Sequence, residues 1–172
     1  GVKFTYELHN EPIDNIGQAV VNIVEIESPV HFDEIVRRIR DACGLGRAGN
    51  RIRTAIEQAA NRKNRQHEIN KKGDFYWSTK MNEPPLRKRG KEISAKIDLI
   101  CDEEIIVVTK YVLAKQFSTL PVDLVNQTLK LLGMQAIHEE AFTRVAGIIT
   151  SLLKINELSI NPNGMVNLTV KS

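Results

Sequence analysis

Apolar residues recur along most of this chain at the three-and-four spacing of a helix with one buried face. Between Ile13 and Glu27 that spacing is kept by Ile16, Ala19, Val20, Ile23, Val24 and Ile26. Their β-branched content would also suit a strand, but the length of the run favours a helix. Ser28-Pro29 ends it, because the residue before proline is pushed out of the helical region. Val30-His31 then predicts a short strand. From Phe32 to Cys43 a second helix is predicted, with Ile35, Val36, Ile39 and Cys43 inward and Arg37, Arg38 and Arg40 outward. Gly44, Gly46 and Gly49 supply a turn. A third helix runs from Gly49 to Arg65, with Ile52, Ala55, Ile56, Ala59 and Ala60 on one face. His67-Glu68-Ile69 and Phe75-Tyr76-Trp77 predict two short strands, with Lys71-Lys72-Gly73-Asp74 as the hairpin loop.

The second half repeats this order. Helices are predicted over Glu103–Phe117, Leu120–Leu132 and His138–Asn156, followed by a hairpin of Leu158–Ile160, the turn Asn161–Gly164, and Met165–Val170. An offset of 89 carries Ile16, Ala19, Ile23, Ile35, Val36 and Gly44 onto Ile105, Val108, Val112, Leu124, Val125 and Gly133. With one inserted residue, Ile52, Ala55 and Ile56 fall on Phe142, Val145 and Ala146. Past the hairpin, Gly73, Phe75 and Trp77 fall on Gly164, Val166 and Leu168. Shared core positions under different surfaces indicate a duplicated fold. The expected fold class is mainly α with small β-hairpins, arranged as tandem winged-helix-like units. The expected divisions are an N-terminal arm at 1–12, a first unit at 13–78, a basic Pro-containing linker at 79–102 and a second unit at 103–172.

Composition adds little until charge is divided along the chain. The 172 residues carry a net charge of +3. Residues 1–46 hold 4 basic and 8 acidic side chains, residues 47–91 hold 13 and 4, and residues 92–172 hold 7 and 9. A basic block inside a near-neutral chain points to a localised anionic partner. Arg87, Lys88, Arg89 and Lys91 follow Pro84-Pro85, so part of the block reads as linker. No apolar run approaches a membrane span, and GVKFTYELHN lacks the layout of a signal peptide. Two distant cysteines, Cys43 and Cys101, have no ligand-spaced partners, so thiols in a reducing cytoplasm are expected.

The basic block places its distinctive chemistry on the third helix. Asn50, Thr54, Gln58, Asn61 and Arg65 point away from the apolar face, and Arg51, Arg53 and Arg62 flank it. Arg reaches guanine edges or phosphates, and Asn or Gln reaches adenine edges. The candidate DNA-binding set is Arg47, Asn50, Arg51, Arg53, Thr54, Gln58, Arg62 and Arg65, with Lys71 and Lys72 on the hairpin. The alternative is a solvated basic helix and an ordinary soluble loop. Tyr76 and Trp77 could stack on bases, although a tryptophan at the end of a hairpin strand is more often core. The third helix of the second unit shows Glu139, Glu140, Thr143, Gly147 and Ser151 instead, with only Arg144 and Lys154 basic. Carboxylates brought toward phosphates oppose binding, so the second unit reads as a scaffold or protein-contact surface.

Three patterns resemble chemistry. Gly44-Leu45-Gly46-Arg47-Ala48-Gly49 matches G-x-G-x-x-G, but a dinucleotide site needs a preceding strand within a βαβ unit. An amphipathic helix precedes it here, so a helix–helix turn is expected. His31, Asp33 and Glu34 could form a metal or acid–base cluster. Their place at a helix start gives a simpler account: the carboxylates favour the positive end of the helix dipole, and His31 caps or packs. No G-x-x-x-x-G-K-[ST] loop is present. No catalytic residue, cofactor or metal is expected in this segment.

SPVHFDEIVRRI, GLGRAGNRI and GDFYW together resemble the domain of unknown function near the C-terminal end of large bacterial superfamily I helicase-like proteins. Many of those proteins carry an ATPase motor and a Vsr-like or restriction-endonuclease-like nuclease domain in the same chain. The resemblance runs from about Ile13 to Ser78 and is loose beyond Glu103. It implies an accessory domain of a DNA-handling protein, with the motor and nuclease domains as partners and no catalytic residues of its own. The expected function is non-catalytic DNA binding through the third helix and hairpin of the first unit. The alternative is a protein-interaction or dimerisation module, making a homo-oligomer, without direct DNA contact.

Overall fold

The computed structural model of the protein describes residues 12–46, 49–87 and 96–171. The expected N-terminal arm before Pro12, Arg47 of the candidate set, and Lys88, Arg89 and Lys91 of the linker lie outside them. The chain is mainly α with two small antiparallel sheets. It divides into two compact units, Gly1–Asn82 and Glu83–Ser172.

In the first unit, helix α1 spans Ile13–Glu27 and buries Ile16, Val20 and Val24. Strand β1 (Val30–His31) leads into helix α2 (Phe32–Ala42), which buries Ile35, Val36 and Ile39. Helix α3 (Asn50–Arg65) buries Ile56, Ala59 and Ala60. Two adjacent alanines with 0% exposure leave room for α1 to pack closely. Gly17 of α1 serves the same approach, since a Cβ there would sit 2.8 Å from Lys63 Cε on α3. Strands β2 (Ile69–Lys72) and β3 (Phe75–Ser78) follow, in the sheet order β1-β3-β2.

The second unit has helix α4 (Asp102–Gln116), strand β4 (Ser118–Thr119), helix α5 (Pro121–Leu131), helix α6 (Glu139–Lys154) and strands β5 (Leu158–Ile160) and β6 (Val166–Leu168), with sheet order β4-β6-β5. Each unit thus runs helix, strand, two helices and hairpin around its own apolar core. Strand β4 was not expected. It is two residues long and exists through its pairing with β6, Thr119 opposite Val166.

The helices repeat with an offset of 89 and no insertion: α1, α2 and α3 fall on α4, α5 and α6. Ile56 therefore corresponds to Val145 and Ala60 to Ile149, all buried, rather than Ile56 to Ala146. Helix ends match as well. The Leu45 N–H donates to the Arg40 carbonyl and Gly44 N–H to Asp41, and Met134 to Leu129 and Gly133 to Lys130 repeat this after α5. The same double bond closes α3 at His67 and α6 at Asn156. Each of these four caps needs one residue at positive φ, taken by Gly44, His67, Gly133 and Asn156.

That cap corrects the expected hairpin. His67 (φ 60) and Glu68 finish α3, and β2 begins at Ile69. Lys71 and Lys72 lie within the strand, and the turn is Gly73-Asp74 alone. Lys72 pairs with Phe75 across it, and Gly73 at φ 59 supplies the first turn position. The second hairpin turns through three residues between Asn161 and Met165, whose N–H···O bond is 2.9 Å. One extra residue shifts the offset to 90. Tyr76 then corresponds to Val166, each buried and paired to Val30 or Thr119. The expected match of Phe75 with Val166 and Trp77 with Leu168 is off by one, which in a strand exchanges the two faces.

Candidate nucleic-acid interface

Burying Ile56, Ala59 and Ala60 turns the rest of α3 outward. Asn50, Arg51, Thr54 and Gln58 are exposed and, with Ala55, line an open groove of about 340 Å³. Among the described residues, no side-chain hydrogen bond or ion pair engages these four polar groups. Arg65, also exposed, continues the line. Arg51, Gln58 and Arg65 are spaced seven apart, nearly two full turns each, so they form one stripe.

The other candidate cations are engaged. Arg53 Nη2 lies 2.8 Å from Asp33 Oδ1 at the start of α2, and its Cζ lies over the Phe32 ring, 5.2 Å from the centroid. Arg62 Nη2 is 3.6 Å from Asp14 Oδ1 on α1. These partners are far away in sequence, so helix periodicity alone could not reveal them. All three arginines of α2 point outward as expected, and each is paired: Arg37 with Glu34 and Asp41, Arg38 with Glu27, and Arg40 with Asp41. The hydrogen bonds that Arg37 donates to Glu34 are the main reason its guanidinium is held above its ordinary pKa. The unpaired positive charge of the helices is therefore narrower than the sequence count suggests.

The hairpin lysines separate. Lys71 is opposite Tyr76, with its ammonium 5.9 Å from that ring. Its backbone N–H donates to Asn64 Oδ1 at 3.0 Å, which ties the strand to the end of α3. Lys72 points to the other face and sits 4.2 Å from the Trp77 ring centroid. Alternation along the strand makes this unavoidable, so the two cannot grip one surface together. Tyr76 belongs to the core, and Trp77 is 1% exposed on the opposite face. Neither ring is open for base stacking. The Trp77 indole N–H has no hydrogen-bond partner among the described residues.

Sequence reasoning missed two acidic groups here. Glu57 is exposed on α3, and Asp74 is at the hairpin tip. Burial, followed by the charges of Glu57 and Asp74, pushes the Tyr76 hydroxyl up to about 12. It also missed Lys63, which is bound to Glu68 at 2.6 Å.

The residues that resembled chemistry have local structural partners. His31 Nδ1 accepts the Asp33 backbone N–H at 2.9 Å and caps α2, while its ring meets Phe75 edge-on at 5.1 Å. Asp33 holds Arg53, and Glu34 holds Arg37. Gly44 ends α2 and Gly49 precedes α3, so the glycine motif bridges two helices. No group of three or more His, Cys, Asp or Glu able to hold a metal occurs among the described residues.

At the offset of 89, the second unit replaces Asn50, Arg51, Thr54, Gln58, Arg62 and Arg65 by Glu139, Glu140, Thr143, Gly147, Ser151 and Lys154. Arg144, half-buried, donates to the Ile97 and Ile100 carbonyls and lies 2.8 Å from Asp102 Oδ1. It anchors the segment leading into α4. Arg87, expected in a linker, is 3.3 Å from Glu104, whose side chain is 1% exposed. No helix among the described residues is long and apolar enough to cross a membrane.

None of the curated proteins matches this chain, and none of the solved structures does. A family model described as a protein of unknown function (DUF3320) matches residues 6–54, which reach through α1, β1 and α2 into the start of α3 but stop short of the hairpin.

Proposed function

We propose that the first unit is a winged-helix module that binds duplex DNA without catalysing a reaction, as an accessory part of a larger helicase- or nuclease-type protein. The observation that carries this is the exposed Arg51–Gln58–Arg65 stripe, unengaged among the described residues, with Asn50, Arg51, Thr54 and Gln58 lining an open groove at its start. Fourteen residues of helix separate the two arginines by about 21 Å. A major groove is about 12 Å wide, so arginines at that separation reach phosphates on either side of it. The amides and hydroxyl between them then face base edges. Lys71, tied to the end of α3, adds a further cation near Arg65. The link to helicase or nuclease proteins rests on the sequence resemblance.

Binding of the full chain to a random-sequence duplex, measured against salt, tests this reading. Each neutralised phosphate contributes about −0.9 to the slope of log K against log salt. The three available cations, Arg51, Arg65 and Lys71, give a slope of roughly −3, with micromolar or weaker non-specific affinity at physiological salt. Replacing Arg51, Arg65 and Lys71 together by Ala flattens that slope by about two to three units and leaves the fold intact, since none of the three holds a carboxylate. Absence of binding at low salt overturns the proposal.

A second reading, a protein-interaction module, draws on the second unit. Phe117 is 84% exposed, with Leu120 and Val122 exposed in the same corner. Their counterparts in the first unit are Ser28, His31 and Asp33.

A further inference from the structure

On the reading of α3 as a DNA-binding face, we infer that Asp33 is a built-in competitor for that DNA: it occupies Arg53 as a phosphate would. Arg53 is an α3 cation held from two sides. Its Cζ lies over the Phe32 ring, 5.2 Å from the centroid, and its Nη2 is 2.8 Å from Asp33 Oδ1. The Phe32 ring covers one side of the guanidinium and leaves its Nη2 to a carboxylate. A phosphate oxygen in the place of that carboxylate satisfies the same donor. Both side chains stay substantially open to solvent, Arg53 at 41% and Asp33 at 53%. An exchange of Asp33 for a phosphate therefore needs no unpacking of the core.

The second unit supplies an independent observation. Where the helix face has lost its arginines, both members of the pair are gone together: Asp33 is replaced by Val122 and Arg53 by Phe142. A pair serving only to join the second and third helices would be expected as readily in either unit. Here it accompanies the basic face.

The carboxylate has two consequences for binding. It lowers affinity, because Arg53 must first leave it. It also flattens the response to salt, because an arginine held by a carboxylate neutralises no phosphate, and salt screens the carboxylate's repulsion of the DNA. Asp33→Asn keeps the shape of the side chain and removes the charge. In the full chain, with a fluorescein-labelled random duplex and anisotropy as the readout, Asp33→Asn tightens binding by about two- to fivefold, the range of an exposed ion pair. It also adds about one phosphate contact to the salt slope. Arg53→Ala in the Asp33→Asn background abolishes the gain. If Asp33→Asn tightens binding equally with and without Arg53, the effect is general charge and the latch is wrong. If Asp33→Asn binds no tighter than the unaltered chain, the latch is also wrong, while the DNA-binding face stands. If the unaltered chain and Asp33→Asn both fail to bind at low salt, the face itself is not a DNA site and the latch falls with it.

Discussion

Tyr76 shows how one side chain carries both packing and electrostatics. It lies opposite Val30 in the sheet and is 1% exposed. Its hydroxyl is pushed from 10.0 up to about 12, chiefly by burial. The unfolded chain loses this proton first as pH rises, so the folded state is penalised between the two values. Stability of the first unit is unaffected by this group below pH 10 and falls from pH 10 to 12, by roughly 3 kcal/mol in all. Trp77 is the only tryptophan and neighbours Tyr76, so urea unfolding followed by its fluorescence isolates the first unit. Tyr76→Phe should remove that part of the alkaline loss; an identical decline in the variant contradicts the assignment. A second residue-scale expectation concerns Glu104. Its buried carboxylate is paired with the partly exposed Arg87, and breaking a fully buried pair costs about 3–5 kcal/mol, which bounds the effect here. Arg87→Ala should therefore lower the unfolding temperature seen by circular dichroism, whereas a mere linker residue would leave it unchanged.

At the scale of elements, helix ends are decided by the residue at positive φ. Gly44 and His67 occupy the same cap position after α2 and α3, at φ 68 and 60. Only glycine holds that conformation without strain, and other residues pay about 1–2 kcal/mol. Gly44→Ala should destabilise the first unit by about 1 kcal/mol and His67→Gly should stabilise it by a similar amount. Opposite signs in chemical denaturation check this, and equal signs refute it. The glycine turn was legible because three glycines stand between two amphipathic runs. The cap at His67 was not, since nothing in His67-Glu68-Ile69 separates a helix end from a strand start. Tertiary pairing of Ile69 with Ser78 made that choice.

For the whole molecule, two separate cores carry two units. Ile56 lies in one core and Val145 in the other, both at 0% exposure. Ile56→Ala should cost about 2–5 kcal/mol and move one calorimetric transition. Val145→Ala should move a different one. A single transition shifted by both substitutions would show the units to be thermodynamically one. The sequence by itself determined the helices, their order and their repetition, because burial of one face writes itself into spacing at every turn. It also located the exposed row of Asn50, Thr54, Gln58 and Arg65, since these positions are what the buried face leaves over, although it set Arg51 at the flank and Asn61, which is half-buried, in the row. Tertiary structure decided hairpin register, where one residue in a loop exchanges the faces of a strand and puts Tyr76 rather than Phe75 in the core. It decided as well which cations remain available. Asp33 and Arg53, or Asp14 and Arg62, meet only when helices pack, and Coulomb attraction depends on distance in space rather than along the chain.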